Sequence, residues 1–438
     1  MNNVKNKRAI PSSDSGFPGA RGIIVESYPA RSAALRLTLV SETFPPEVNG
    51  VAMTWGHLTR NLAQMGHSVQ VVRPRQLCEE SSVNAREQDQ VLTSGFPIPS
   101  YPELRFGMIT TGRLTELWKR RRPDVVHVAT EGPLGWSAVS AARKLKLPVT
   151  SSFHTNFQQY SCYYGAGLLK ATVDAYMRRF HNRTMATLAP TQAMVQALQE
   201  RGYRDVSLMS RGVATEQFSP HARSRELRAA WGVGEDGLVV LYVGRLAREK
   251  SVHSVITAFL AIKAVVRTAK LVLVGDGPLR ETLHEACSQA IFCGVKKGAV
   301  LAQHYASGDL FLFPSVTETF GNVVPEAMAS GLAVVSYNCA AAADLISDGQ
   351  SGVLVDVGDE AQFIRAAVAL ARQPNRLAAL RWRAAPSVAR MRWPVVTQDL
   401  VNTWSAVIAR HEQASLSASG FFDNAVSSPI NPLGPSSA

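Results

Sequence analysis

Between residues 35 and 215, short and largely apolar runs alternate with stretches of helical periodicity. The runs are Leu35–Val40, Val69–Val72, Val125–Val128, Val149–Phe153 and Thr187–Ala189, and their lack of polar alternation fits strands covered on both faces. Helical spacing fills Val51–Met65 and Leu134–Leu145. A second series follows, with strands expected at Leu238–Val243, Leu271–Val274, Ala290–Phe292, Leu310–Phe313, Ala333–Tyr337 and Val353–Val355, and helices at Ser254–Val266 and Pro325–Ala329. Strand–helix alternation of this kind predicts an α/β chain of doubly wound parallel sheets. The break at Arg211–Pro220, where Arg211-Gly212-Val213 precedes a turn-forming Ser219-Pro220, divides it into two Rossmann-like domains, 35–215 and 216–392. A closing helix is expected over 393–412, with Pro394 where proline is tolerated. The Ser-, Pro-, Gly- and Asn-rich ends, 1–34 and 413–438, read as disordered tails.

Composition narrows the class. With 46% hydrophobic and 18% charged residues over 438 positions the chain is globular and long enough for two domains. Cys78, Cys162, Cys287, Cys293 and Cys339 are scattered and form no C-x-x-C pair. That favours a reducing cytoplasm over a disulfide framework or structural zinc. No run approaches the roughly 18 apolar residues of a spanning helix, and the first thirty residues lack a signal core; the expected location is cytoplasmic. A net charge of +12, concentrated at Lys119–Arg122 and at Arg178, Arg179 and Arg183, draws the chain toward an anion: a membrane surface, a nucleic acid or a phosphorylated substrate. The 119–122 run also fits a solvated helix C-terminus. Nucleic acid is disfavoured, because there is no P-loop and no aromatic–basic RNA signature.

Ligands of open parallel sheets bind beyond the carboxyl ends of the strands, so the residues just after each apolar run are the ones to interrogate. After the first strand, Ser41–Val51 ends in Asn49-Gly50 where a helix begins. Gly50 would let a phosphate approach the backbone at a helix N-terminus, although a capped Pro-Pro turn explains the same residues. After Leu238–Val243, Arg245 and Lys250 lie five positions apart. A guanidinium fork and an ammonium point charge suit a diphosphate leaving group, and a solvated loop is the plainer alternative. The densest stretch is Pro314–Gly331. Glu318 and Glu326 stand eight apart, with Phe320, Gly321, Asn322 and Val323 between them, so carboxylates for vicinal hydroxyls flank backbone amides for a phosphate or sugar oxygen. His154 follows the strand ending at Phe153, where it could donate to a sugar or phosphate. No G-x-G-x-x-G follows any of the expected strands.

At these residues the sequence resembles glycosyltransferase family 4, from about Arg36 to Arg410. The E-x7-E element from Glu318 to Glu326 is the most specific mark, and Gly244-Arg245 with Lys250 is its partner. Gly275-Asp276-Gly277-Pro278 looks like the family's strand-to-helix turn. Glu131–Gly135 and Ser152–Asn156 look closest to bacterial GDP-mannose-dependent alpha-mannosyltransferases. The resemblance implies a GT-B fold, with acceptor bound by the first domain and donor by the second. It implies that Arg245 and Lys250 hold the diphosphate, and that Glu318 and the amides of Phe320, Gly321 and Asn322 meet the donor sugar. Glu326 would take the ribose and Val295 would lie against the base, while Gly50 and His154 close the site from the first domain. Asn49-Gly50 stands where many relatives show paired glycines.

The expected activity is retaining transfer of a hexose, mannose from GDP-mannose foremost, onto a lipid or polysaccharide acceptor. A UDP-hexose donor, or an epimerase on the same fold, is the alternative. No D-x-D occurs, so no metal or other cofactor is expected and Arg245 and Lys250 would stabilise the departing diphosphate. Without an obvious carboxylate nucleophile, front-face transfer is expected. The basic balance and the lipid-linked acceptors of the family make peripheral contact with an anionic membrane a further expectation.

Overall fold

The protein is described as a computed structural model covering residues 34–47, 49–76, 89–98, 101–154 and 168–418. Cys78, Cys162, Thr155-Asn156 and the tail expectations for 1–33 and 419–438 fall outside the described residues. From Leu35 onward the chain is one unit organised on two sheets.

The first sheet contains β1 (Arg36–Val40), β2 (Ser68–Pro74), β3 (Asp89–Ile98), β4 (Tyr101–Met108), β5 (Val125–Val128), β6 (Val149–Ser152), β7 (Thr187–Ala189) and β8 (Val206–Leu208). Their spatial order is β4-β3-β2-β1-β5-β6-β7-β8, parallel throughout except for the antiparallel β3–β4 pair. The five expected strands are all present. The three additional ones lie toward the edges, where solvent relaxes the demand for apolar side chains. β3 and β4 carry Pro97, Gly95 and Gly107, residues that sheets tolerate at margins.

The second sheet contains β9 (Val239–Val243), β10 (Lys270–Val274), β11 (Ile291–Gly294), β12 (Leu310–Phe313), β13 (Ala333–Tyr337) and β14 (Val353–Val355). It is wholly parallel, in the order β11-β10-β9-β12-β13-β14. All six strands match the apolar runs, whose side chains from Val239 to Leu241 and from Leu310 to Leu312 are fully buried.

Each sheet winds outward from its centre in both directions, and the reversal falls between β1 and β5 in one sheet and between β9 and β12 in the other. These are the crevices where open α/β sheets take ligands. The β9–β12 pair is anchored from below by Asp309, whose carboxylate accepts from the Val239 amide at 2.9 Å. It also pairs with Arg228 and Arg223 at 3.0 Å and Arg381 at 2.9 Å. Several donors around one buried carboxylate offset its desolvation.

The closing helix begins at Trp393, as expected, and runs to Ala418 rather than ending near 412. Its start is tied to the first sheet's last loop, since the Val213 amide donates to Met391 O at 2.7 Å. Trp393, Val396, Leu400 and Trp404 then pack among Leu37, Leu39, Trp55 and Leu58. A helix that follows the second sheet in sequence therefore completes the core of the first. Burying a side chain as large as Trp404, which is 0% exposed, contributes on the order of 3 kcal/mol.

Candidate active site

The loop after β1 and the helix Gly50–Gln64 form one wall. Asn49 caps the helix, accepting from the amides of Val51 at 3.1 Å and Ala52 at 2.9 Å. Its amide donates to Thr43 Oγ1 at 2.6 Å, so asparagine at this position has a structural reason. Thr43 and Gln76 both donate to the Glu47 carboxylate, which makes a polar cluster at the loop. Gly50 opens the helix, and a Cβ on it would lie 2.9 Å from Arg211 Nη1. Glycine here lets the guanidinium lie against the helix end.

The opposite wall comes from the second sheet. After β12, Glu318 Oε1 receives Lys250 Nζ at 2.5 Å and the Ser315 hydroxyl at 2.8 Å. Thr317 Oγ1 donates to Glu249 O at 3.2 Å, tying this loop to the one after β9. The Gly275–Pro278 turn braces that β9 loop: a Cβ on Gly275 would sit 1.9 Å from Gly244 O, and the Leu246 amide donates to Asp276 O at 3.0 Å. The helix around Glu326 runs over Val323–Ala329. It starts two residues before Pro325, so Asn322 is the N-cap position and Val323 opens the first turn; the Val324 amide donates to Gly321 O and the Glu326 amide to Asn322 O, both at 3.1 Å. Asn322 Oδ1 is buried without a partner among the described residues.

These walls enclose a cavity of about 470 Å³ lined by Thr43, Asn49, Gly50, Val51, Arg211, Lys250 and Thr317 through Asn322. Of the residues expected from sequence, Gly50, Lys250, Glu318, Phe320, Gly321 and Asn322 are brought together here. Glu326 sits one turn deeper, accepting from Tyr305 Oη at 2.9 Å. Burial raises its carboxyl to about 7 against the pull of that hydrogen bond. Val323 follows directly on the lining residues. Three expected residues lie apart from the cavity lining: His154 after β6, Arg245, with a side chain 68% exposed and 3.9 Å from Glu249, and Val295, 61% exposed beyond edge strand β11.

The cation that does line the cavity beside Lys250 is Arg211, which the sequence presents only as part of the interdomain break. It is 7% exposed, its guanidinium carbon lies 5.8 Å from the centroid of the Phe320 ring, and its Nε has no acceptor among the described residues. Burial lowers its pKa to about 10, and Glu318 pulls it back up, so it stays charged at neutral pH. A buried cation on a cavity wall with unfilled donors suits an anion. The available signal in the sequence was a lone arginine at the junction of two Rossmann-like series, a place where ligands bind.

His154 follows β6, with Nε2 receiving the Trp55 indole N–H at 3.3 Å and contacting Ser152 Oγ at 2.8 Å. Burial, and then the charge of Arg211, hold it well below the ordinary histidine range. Across the β1–β5 crevice, Glu42 accepts from the amides of Gly132 at 3.2 Å and Leu134 at 3.1 Å. Burial raises it to about 7 in spite of those bonds. Among the described residues no group of His, Cys, Asp and Glu is arranged to hold a metal ion, and no helix is long and apolar enough to cross a membrane.

Comparison with known proteins fits this geometry. Residues 48–217 match Glycosyltransferase Family 4, and residues 237–373 match Glycosyl transferases group 1. The chain is 35% identical over 387 residues to a GDP-mannose-dependent alpha-mannosyltransferase of Mycobacterium tuberculosis, covering 86% of this chain and 98% of that one. The chain belongs to glycosyltransferase family 4. A GDP-mannose-dependent alpha-mannosyltransferase of Mycolicibacterium smegmatis is 34% identical, over 86% of this chain and 98% of its own. An alpha-monoglucosyldiacylglycerol synthase of Streptococcus pneumoniae is 27% identical, over 73% and 75%. Among solved structures, Anabaena HepE in complex with UDP superposes with a TM-score of 0.68 at 19% identity, covering 85% of this chain and all of that one. Sucrose-phosphate synthase from Thermosynechococcus elongatus gives 0.68 at 17% identity, over 86% and 100%. The fold is GT-B, as the sequence resemblance implied, and this family 4 chain is a glycosyltransferase.

Proposed function

We propose that this glycosyltransferase moves a hexose with retention of configuration, using GDP-mannose as donor and a lipid or polysaccharide as acceptor. The observation that carries the reading is the presence of Arg211 and Lys250 on the walls of one cavity, together with Glu318, which is paired to Lys250. In this reading the diphosphate lies between the two cations, which stabilise the charge that develops as it departs. Arg245 reaches in from the rim. Glu318 and the amides of Phe320, Gly321 and Asn322 hold the donor sugar, and Glu326 takes a ribose hydroxyl. The base lies toward Val295. The sequence offers no obvious carboxylate nucleophile, so in this reading the leaving phosphate accepts the acceptor's proton on the face from which it departs. The domain of residues 216–392 then binds the donor, and that of 35–215 offers the acceptor a wall around Thr43 and Glu47. The names of the mannosyltransferase relatives support the donor, and the diacylglycerol-modifying relative supports a lipid acceptor. The +12 charge supports peripheral attachment at the cytoplasmic face of an anionic membrane, with no metal ion required.

The test is donor turnover by the full chain against GDP-mannose and UDP-hexoses, with lipid extracts and mannosides as acceptors and the anomeric configuration of the product read by NMR. Acceptor-dependent release of GDP with an α-linked product supports the proposal. Preference for a UDP-hexose, or an inverted product, contradicts the donor or the stereochemistry respectively.

A further inference from the structure

Behind His154 runs a buried chain of hydrogen bonds that ends on the C-terminal helix. Trp404 Nε1 donates to Thr150 Oγ1 at 3.1 Å, and Thr150 Oγ1 lies 2.9 Å from His127 Nδ1. His127 Nε2 lies 3.2 Å from Ser152 Oγ, which lies 2.8 Å from His154 Nε2. The Trp55 indole N–H points at that same Nε2 from 3.3 Å. Thr150, Ser152, His127, Trp55 and Trp404 are all 0% exposed. The one ring nitrogen left over, His154 Nδ1, is buried without a partner among the described residues.

An indole nitrogen can only donate, and each hydroxyl has a single proton to give. Those two facts orient the chain from either end. Starting at Trp55, His154 Nε2 must hold a lone pair. Ser152 must then point its proton at that nitrogen, because two lone pairs facing each other at 2.8 Å repel. Ser152 therefore accepts from His127 Nε2–H, which leaves a lone pair on His127 Nδ1. Starting at Trp404, Thr150 accepts the indole proton, and its own buried proton has His127 Nδ1 as its acceptor. The two derivations agree. The neutral form they require is also the one burial favours, since His127 is lowered to about 3.

We infer that Trp404 and Trp55 are positioning residues that lock His154 with its proton on Nδ1, so that this histidine offers the bound donor a hydrogen-bond donor and cannot act as a base. The inference rests on the proposed placement of the donor in the cleft beside Arg211. It also makes the C-terminal helix part of the site, since a helix joined to the donor half supplies the far end of a relay in the first. The two histidines, a few ångströms apart through one serine, must carry opposite tautomers.

The experiment is 15N NMR of the full chain with labelled histidine, assigned by His154→Asn and His127→Gln. His154 should show a protonated Nδ1 and a bare Nε2, and His127 the reverse. In Trp404→Phe, which removes only the terminal N–H, a second His127 tautomer should appear and turnover should fall roughly fivefold, the effect of one lost hydrogen bond. His154→Asn, whose amide can still donate, should retain at least roughly fivefold more turnover than His154→Ala. A His154 protonated on Nε2, equal tautomers on both rings, an unchanged His127 spectrum in Trp404→Phe, or equal turnover of the Asn and Ala variants overturns the inference. The parent spectrum decides even if Trp404→Phe fails to fold. If the tautomers are as stated but no nucleotide sugar is turned over, the functional reading fails and the relay stands.

Discussion

Replacing Arg211 by methionine should change stability and activity in opposite directions. The arginine pKa is lowered from 12.5 to about 10, chiefly by burial, a difference of 2.5 that corresponds to roughly 3 kcal/mol at 1.36 kcal/mol per unit. The charged form is disfavoured in the folded state, so the cost is fully present at every pH below about 10. Methionine removes it, keeps an apolar stem against Phe320, and gives up a cation–π contact worth about 1 kcal/mol. The ligand-free variant should therefore be more stable than the parent by roughly 1–2 kcal/mol in urea unfolding. Turnover of GDP-mannose should fall by ~100-fold or more, as when a preorganised charge contact to a departing group is lost, and the stabilisation that excess GDP gives the parent should shrink. A variant less stable than the parent would mean that Arg211 is a structural cation. Undiminished turnover would mean that it does not meet the diphosphate.

Three further outcomes follow from the same geometry. Gly50→Ala places a Cβ 2.9 Å from Arg211 Nη1; the helix should persist while donor affinity drops by about tenfold, measured by calorimetry, the effect of displacing a charged hydrogen-bond donor. Glu326, raised to about 7, loses its charge as pH falls, so the donor KM should rise several-fold between about pH 8 and about pH 6; Glu326→Gln should flatten that profile, and an unchanged profile would take Glu326 out of donor binding. Glu42, also raised to about 7 from 4.5, contributes stability that is present below about pH 4.5 and lost as pH rises through 7, by roughly 3 kcal/mol. Glu42→Gln should remove this segment of the stability–pH curve, and a curve that keeps it would assign the effect elsewhere.

The central strands were legible because both their faces are covered. Runs such as Leu310–Phe313 leave little room for polar residues, so apolar content alone located them. The edges were not, because β3, β4 and β8 meet solvent and can carry Asp89, Pro97, Gly107 or Ser207 without penalty. The extent of the closing helix was underestimated because residues 412–417 are mostly polar or small and exposed, and so set no apolar period. In the site, residues supplied by one contiguous loop, Glu318 to Asn322, could be read from their spacing. Arg211 could not, since its meeting with Phe320 and Gly50 spans more than a hundred residues of sequence and exists only when two sheets are brought together. For the same reason the sequence does not separate Arg245 from Lys250: five positions apart, Arg245 stands 3.9 Å from Glu249 with an exposed side chain, while Lys250 pairs with Glu318.

The most direct measurement is a crystal structure of the full chain with GDP bound. The account predicts the β-phosphate oxygens within hydrogen-bonding distance, about 3 Å, of both the Lys250 ammonium and the Arg211 guanidinium. A diphosphate bound elsewhere, with these two cations still facing only Glu318 and Phe320, would contradict it.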